Sequence, residues 1–297
     1  MELQQLRYFA KVAELENFTR AAEACHVSQP TLSQQVSKLE HELGHPLFER
    51  LGRGVRLTAA GHQFRERALR ILGLVDEARG SIADEPDAGR VVVAAIPTIA
   101  PYFLPAVLTR FTAECPRARV EVVEETTAQT LRLLHDGTVD VAVLALPVKD
   151  DGIETEPLFT EELLAVVPAA HRLAARKSIH IEDLVGEPFV LLHEAHCLTG
   201  TSLAFCNQRE CTPVVVAETH QLVTIQELVR LGHGVSLMPE MAARADGHPG
   251  RKYIRLGDDP PTRTVGLAWA RPRRLTKVVW RFVESIRKEG KVRSKAP

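Results

Sequence analysis

Residues 18–33 read Phe18-Thr19-Arg20-Ala21-Ala22-Glu23-Ala24-Cys25-His26-Val27-Ser28-Gln29-Pro30-Thr31-Leu32-Ser33, and this stretch decides the first part of the fold. Thr19 is expected to cap a short helix built from the good helix formers Arg20 to Ala24. His26-Val27-Ser28 is a short connection. Pro30 suits the first turn of the next helix, where its missing N–H costs little. That helix places Leu32, Val36, Leu39 and Leu43 at alternating helical spacings, and Gly44 ends it. Two helices joined by about three residues form a helix-turn-helix, whose second helix normally enters the major groove.

Upstream, Leu3, Leu6, Phe9, Ala10 and Ala13 recur at helical spacing. Downstream, residues 48–58 read as a small β-wing with a Gly-Arg-Gly tip. Arg50, Arg53, Arg56, Arg65, Arg67 and Arg70 face only Glu66 in the same stretch, a local basic balance suited to phosphate. Residues 59–83 form one long helical pattern. Phe64, Ala68, Ile71, Val75, Ala78 and Ile82 step alternately by four and three, a heptad seam. A seam directly after a DNA-binding unit is expected to pair two copies, because dimers read paired half-sites. The alternative is a helix packed on its own domain.

Asp84-Glu85-Pro86-Asp87-Ala88-Gly89 is a polar hinge, and beyond it strands and helices alternate. Strand-like runs at 90–96, 120–123, 139–146, 163–167, 189–192, 214–217, 234–238 and 264–270 are separated by helical runs at 102–114, 127–136, 180–185, 198–209 and 221–232, with a last helix near 275–289. This predicts an α/β fold with mainly parallel sheets. About 200 such residues allow two small lobes with a crevice between them. Residues 271–297, rich in Lys and Arg, are read as a solvated tail.

The whole chain has 297 residues, 45% hydrophobic and 25% charged, with a net charge of −1 and five cysteines. That length suggests two or three domains, and the composition excludes general disorder. No run of about 18 apolar residues exists, so a spanning helix is excluded. Met1-Glu2-Leu3-Gln4-Gln5-Leu6-Arg7 is too polar for a secretory signal, which points to the cytoplasm. There the cysteines default to free thiols.

The residues just quoted, with Leu6-Arg7-Tyr8-Phe9, Leu39-Glu40, Leu43-Gly44, Leu47-Phe48-Glu49-Arg50 and Leu57-Thr58-Ala59-Ala60-Gly61, resemble the LysR-type transcriptional regulators in order and spacing. The resemblance implies a winged helix-turn-helix over 1–58, a linker and dimerisation helix with hinge over 59–88, and an effector domain over 89–297. That domain would have two α/β lobes similar to periplasmic binding proteins, lobe I near 89–161 and 267–297 and lobe II near 162–266. Ser28, Gln29, Pro30, Thr31, Ser33, Gln34 and Lys38 would meet promoter DNA from the recognition helix, with Gln35 also offered there. Arg50, Arg53 and Arg56 would grip the backbone or minor groove. The partners implied are double-stranded DNA, further copies of the chain as homodimer or homotetramer, and RNA polymerase. No membrane and no cofactor are implied.

Cys25-His26-Val27-Ser28-Gln29-Pro30, Ile96-Pro97-Thr98-Ile99-Ala100-Pro101 and Leu191-Leu192-His193-Glu194-Ala195-His196-Cys197-Leu198, followed by Phe205-Cys206, are similar to the peroxide-sensing OxyR branch of that family. This implies an activator that answers oxidative stress. Cys197 would be the peroxidatic thiol and Cys206 the resolving one, with Thr98, His196 and Thr127 placing the peroxide. A thiolate at a helix N-terminus is stabilised by the free N–H groups there. If both cysteines bracket one helix, nine residues separate them by about 13.5 Å. A disulfide needs Cα atoms within about 7 Å, so the helix must partly unwind. Thr199-Gly200-Thr201 departs from the charged residues usual after His-Cys-Leu, and Cys211 is a competing resolving thiol. The alternative is a regulator binding a small organic effector in the crevice through Thr98, Thr127 and Thr201, with inert cysteines. Cys25 and Cys115 are read as packing residues. His193, His196, Cys197, Cys206 and Cys211 match no usual zinc spacing, so no metal is expected. A thiol peroxidase is disfavoured by the helix-turn-helix.

Overall fold

The computed structural model describes residues 1–51, 54–82, 87–193, 197–209, 212–257, 259–271 and 275–294. Arg53, His196, Cys211 and most of the hinge lie outside the described residues, as do the side chains of Arg50, Ala78, Ile82 and Cys197. One compact unit comprises Met1–Asp84 with Leu133–Thr138, and a second comprises Glu85–Arg132 and Val139–Pro297.

In the first unit, α1 (Leu3–Leu15) buries Leu6, Tyr8, Phe9 and Val12, while Leu3 stays exposed. The second helix, α2 (Phe18–Ala24), is capped by Asn17 and not by Thr19. The Asn17 side-chain oxygen accepts the Arg20 N–H at 3.0 Å, so the helix starts at Phe18, two residues earlier than a cap at Thr19 would allow. Cys25 follows it, half-buried, and burial pushes its thiol up, which suits packing. The third helix, α3 (Gln29–Leu43), buries Leu32, Val36 and Leu39, and Gly44 ends it in the left-handed region at φ 71°. The wing is an antiparallel pair, β1 (Phe48–Leu51) and β2 (Gly54–Leu57), with Phe48 opposite Leu57. Phe9 meets Phe48 and Phe64 with ring centroids 5.3 and 5.1 Å apart.

Thr58 fastens the wing to α4 (Ala59–Ile82). Its hydroxyl donates to the Pro46 carbonyl at 2.8 Å and accepts the Gly61 N–H at 2.9 Å. Gly61 is required there, since a Cβ would lie 2.1 Å from the Leu47 carbonyl oxygen. Phe64, Ala68 and Ile71 pack into the core of this same unit. The first half of the heptad seam therefore serves its own domain.

The second unit has two α/β lobes. Lobe I orders its strands β4 (Arg117–Glu124), β3 (Ala88–Ala95), β5 (Val141–Leu146), β12 (Thr262–Ala270) and β6 (Ile153–Pro168). Helices α5 (Ala100–Glu114) and α10 (Lys277–Ser294), with residues 127–132 of α6 (Thr127–His135), complete its elements. Phe111 of α5 and Phe282 of α10 meet edge-on at 4.9 Å, both fully buried. Each such ring contributes roughly 1.5–3 kcal/mol by leaving water. Residues of 271–297 near that helix are thus core, not a solvated tail. In lobe II, β6 continues onto β10 (Ser236–Pro239) and β11 (Arg251–Leu256), with β7 (Ser178–Ile179) beyond. A parallel pair, β8 (Pro188–Leu192) and β9 (Val214–Thr219), lies next to β10 through the bridge Phe189–Val235. Helices α7 (Cys197–Gln208), α8 (Leu222–Arg230) and α9 (Glu240–Ala245) and a single 3₁₀ turn at Ile181–Leu184 fill the rest.

The sheets are mixed rather than mainly parallel. Strand β12 runs antiparallel to β5 and β6, and β10 and β11 run antiparallel to β6. Strand β6 belongs to both lobes: residues to Glu162 pair with β12, and residues from Leu163 pair with β10 and β11. Among the described residues, no helix is long and apolar enough to cross a membrane.

Candidate functional site

On α3, burying Leu32, Val36 and Leu39 turns the opposite face outward. Gln29, Pro30, Thr31, Gln34 and Lys38 are exposed there. Ser28 caps the helix, its hydroxyl accepting the Thr31 N–H at 3.3 Å, so its side chain is spent partly on the fold. Ser33 is half-buried, and Gln35 is turned inward to accept a hydrogen bond from Gln5 at 3.2 Å. Ser37 joins the exposed face as well; its spacing from Gln34 is the local signal for it. Arg56 is exposed on β2. The start of the wing is fixed by Glu40, whose carboxylate accepts the N–H groups of Leu47 and Phe48 at 2.7 and 3.1 Å.

In the second unit, Thr98, Thr127 and Cys197 each follow the end of a parallel strand, while His196 lies outside the described residues. Ala95 ends β3 and pairs with Glu124 at the end of β4. Thr98 and Thr127 each lie three residues further on, so two neighbouring parallel strands present them at the same sheet edge. In lobe II, Leu192 ends β8 and pairs with Thr219 at the end of β9. Cys197 then opens α7, and His220 follows β9. The carboxyl ends of parallel strands are where open α/β sheets place ligands.

Thr98 is 2% exposed, and its hydroxyl and carbonyl accept hydrogen bonds from Arg263 at 2.8 and 3.0 Å. Arg263 in turn pairs with buried Glu161 at 2.8 Å, and Glu161 accepts the Met241 N–H at the start of α9, also at 2.8 Å. Neither Arg263 nor Glu161 was singled out from sequence. Their partners lie 80 to 165 residues away along the chain, and no local pattern announces such a pair. The Thr127 hydroxyl oxygen is buried and has no hydrogen-bond partner among the described residues.

A cavity of about 380 Å³ opens between the lobes, with Tyr102, Glu124, Glu125 and Thr126 on one side and His220 and Gln221 on the other. Burial, with the charge of Asp246 nearby, pushes the Tyr102 phenol up and keeps it a neutral hydroxyl. The rings of His193 and His220 stack with centroids 4.8 Å apart. Thr201 is half-buried.

The helix α7 runs from Cys197 to Gln208, so Cys197 and Cys206 do lie at the two ends of one helix. Cys206 is 1% exposed and unbridged, packed with Phe189, Leu191 and Phe205. Cys115 caps the C-terminal end of α5, fully buried, with an Arg281 N–H directed at its sulfur at 3.9 Å. Among the described residues, no group of three or more His, Cys, Asp and Glu could hold a metal ion.

The family model described as LysR substrate binding domain matches residues 84–291, and that described as bacterial regulatory helix-turn-helix protein, lysR family, matches residues 3–62. The hydrogen peroxide-inducible genes activator of Escherichia coli O6:H1 is 32% identical over 290 residues, covering 97% of this chain and 95% of that protein. Among solved structures, a full-length OxyR variant from Pseudomonas aeruginosa superposes with a TM-score of 0.80 at 32% identity, covering 98% of this chain and 95% of that one. The regulator CbnR, solved in complex with its target DNA, superposes with a TM-score of 0.73 at 27% identity over 97% of this chain and all of that one.

Proposed function

The chain belongs to the LysR family of bacterial transcriptional regulators, and we propose that within it this protein is a DNA-binding switch set by hydrogen peroxide. The observation that carries the reading is the α7 geometry: a cysteine at the helix's first residue and a second, buried one nine residues on. The Cys197 thiolate attacks one peroxide oxygen. An S–O bond forms as the O–O bond breaks, leaving a sulfenic acid and a hydroxide that is protonated to water. The Cys206 thiol then attacks that sulfur, an S–S bond replaces the S–O bond, and water leaves with the thiol's proton. Two thiols thus give two electrons to one peroxide. Thr98, held by Arg263, Thr127, whose hydroxyl has no partner among the described residues, and His196 place the peroxide.

About 13.5 Å of helix separates the two cysteines, so closing the disulfide remodels α7 and with it lobe II. That change reaches promoter contacts made by Gln29, Pro30, Thr31, Ser33, Gln34 and Lys38, with Ser28 at the helix cap and Arg50, Arg53 and Arg56 on the wing. The working form is a homodimer or homotetramer that acts with RNA polymerase and does not turn peroxide over as an enzyme. The interlobe cavity lined by Tyr102, Glu124 and His220 favours one other reading, a small organic effector bound there with inert cysteines.

Thiol mapping by mass spectrometry before and after stoichiometric peroxide separates the two. The expected product is a Cys197–Cys206 disulfide in the wild type and none in Cys197→Ser. Unmodified thiols would overturn the peroxide reading in favour of the effector, and a Cys197–Cys211 bridge would transfer the resolving role to Cys211.

A further inference from the structure

We propose that Thr199 and Gly200 set how readily α7 opens, as a hydroxyl tether and a weak link placed side by side in its first turn. The inference rests on the peroxide reading and adds to it the residues that hold the helix shut. Thr199 is 5% exposed, and its hydroxyl donates to the Leu192 carbonyl at 2.8 Å, with the His193 carbonyl at 3.4 Å. A helical threonine ordinarily bonds back to the carbonyl four residues earlier in its own helix. Here the acceptor is the end of strand β8, seven residues back, so the bond clips the helix start to the sheet.

Gly200 is the opposite case. Apart from its chain neighbours and the helix's own backbone, no heavy atom of the described residues lies within 4 Å of where its Cβ would stand, and its φ is outside the left-handed range. Neither crowding nor backbone conformation requires glycine there, unlike at Gly61. A glycine inside a helix weakens it relative to alanine by a factor of about five.

The position matters because α7 is held in two separate places. Leu198 packs with Val190, Leu192 and Leu222, whereas Phe205 and Cys206 pack in a different cluster with Phe189 and Leu191. Gly200 lies between these anchors. Bringing Cys206 to Cys197 requires the helix to part between them, at the residue where it is weakest and next to the bond that resists. The residues at 199 and 200 thereby act on the second oxidation step, in which Cys206 displaces water from the sulfenic acid, and not on the first.

Three variants, Thr199→Val, Thr199→Ser and Gly200→Ala, test this in the full-length protein, with far-ultraviolet circular dichroism to establish folding. Amide hydrogen exchange across residues 200–206 is measured in the reduced protein. Disulfide formation is followed by thiol loss, and sulfenic acid is followed with a sulfenic-acid-reactive probe in a Cys206→Ser background. Thr199→Val should raise both exchange and disulfide formation about two- to ten-fold. Thr199→Ser should stay within about two-fold of wild type, and Gly200→Ala should slow both about five-fold. Sulfenic acid formation should stay within about two-fold in all three. If Thr199→Val and Gly200→Ala move exchange in the same direction, or leave it unchanged, the tether is overturned. Gly200→Ala, which has room for its methyl group, keeps the test decisive should Thr199→Val fail to fold. Absence of sulfenic acid at Cys197 in every variant would instead overturn the peroxide reading, with exchange still judging the tether.

Discussion

Arg263 enters β12 as a charge on an inward-facing strand position, and its guanidinium is committed to Glu161 and to both oxygens of Thr98. Breaking a buried ion pair by removing one partner is costly because the other charge stays buried, whereas replacing both with apolar groups is often neutral. Arg263→Met should therefore lower unfolding stability by about 3–5 kcal/mol, and Arg263→Met with Glu161→Leu should recover most of it, as read from denaturant midpoints. If Arg263 also positions Thr98, the double variant should still oxidise Cys197 more slowly than wild type under stoichiometric peroxide. Equal rates would confine Arg263 to stability. Thr98 itself was legible in the sequence through its Ile-Pro-Thr-Ile-Ala-Pro setting, and the residue that fixes its orientation was not.

Elements show the same division between local and distant causes. Helix α3 was readable because its apolar spacing, its proline and its terminal glycine are all local, and three of its four predicted core residues are fully buried. The part of β6 before Leu163 was not, since the sequence there carries Glu154, Glu156, Glu161 and Glu162 where a strand is expected to be apolar. Each of those carboxylates meets an arginine remote in sequence: Arg271, Arg287, Arg263 and Arg255. Strand β11 is masked in the sequence for the mirror reason, since Arg251 and Arg255 interrupt its apolar pattern and find Asp246 and Glu162. The wing rests on a different local requirement. With a Cβ at Gly61 blocked by the Leu47 backbone, Gly61→Ala should destabilise the first unit by about 1–3 kcal/mol and weaken promoter binding. Thermal unfolding and titration of labelled promoter DNA check both effects, and an unshifted melt would mean that the β1 entry yields easily.

For the molecule as a whole, a net charge of −1 says little about partners, because charge is organised by region: arginines cluster on the wing and the following helix, while acids line β6. Acid stability follows one buried cluster in lobe II. Burial works against the charge of Asp246, but hydrogen bonds from Arg251 and Tyr253 outweigh it and hold the carboxyl at about 2. A depressed carboxyl stabilises the fold at pH above its ordinary value, near 3.9, and that contribution is lost as pH falls toward 2. Wild type should thus lose stability steeply between about pH 4 and pH 2, and Asp246→Asn should be weaker at neutral pH with a shallower acid limb, as followed by chemical unfolding at each pH. Parallel acid limbs would rule the cluster out as the source.

The path of the chain also orders its own birth. The winged head holds its core within residues that emerge first from the ribosome, whereas lobe I keeps an empty slot beside β5 and β6 that only β12 fills, and α10 closes after that. Lobe II is spelled out in between. Domains generally fold as units from the N-terminus during synthesis. A nascent or prematurely ended chain therefore owns a DNA-reading head well before it owns a finished sensor.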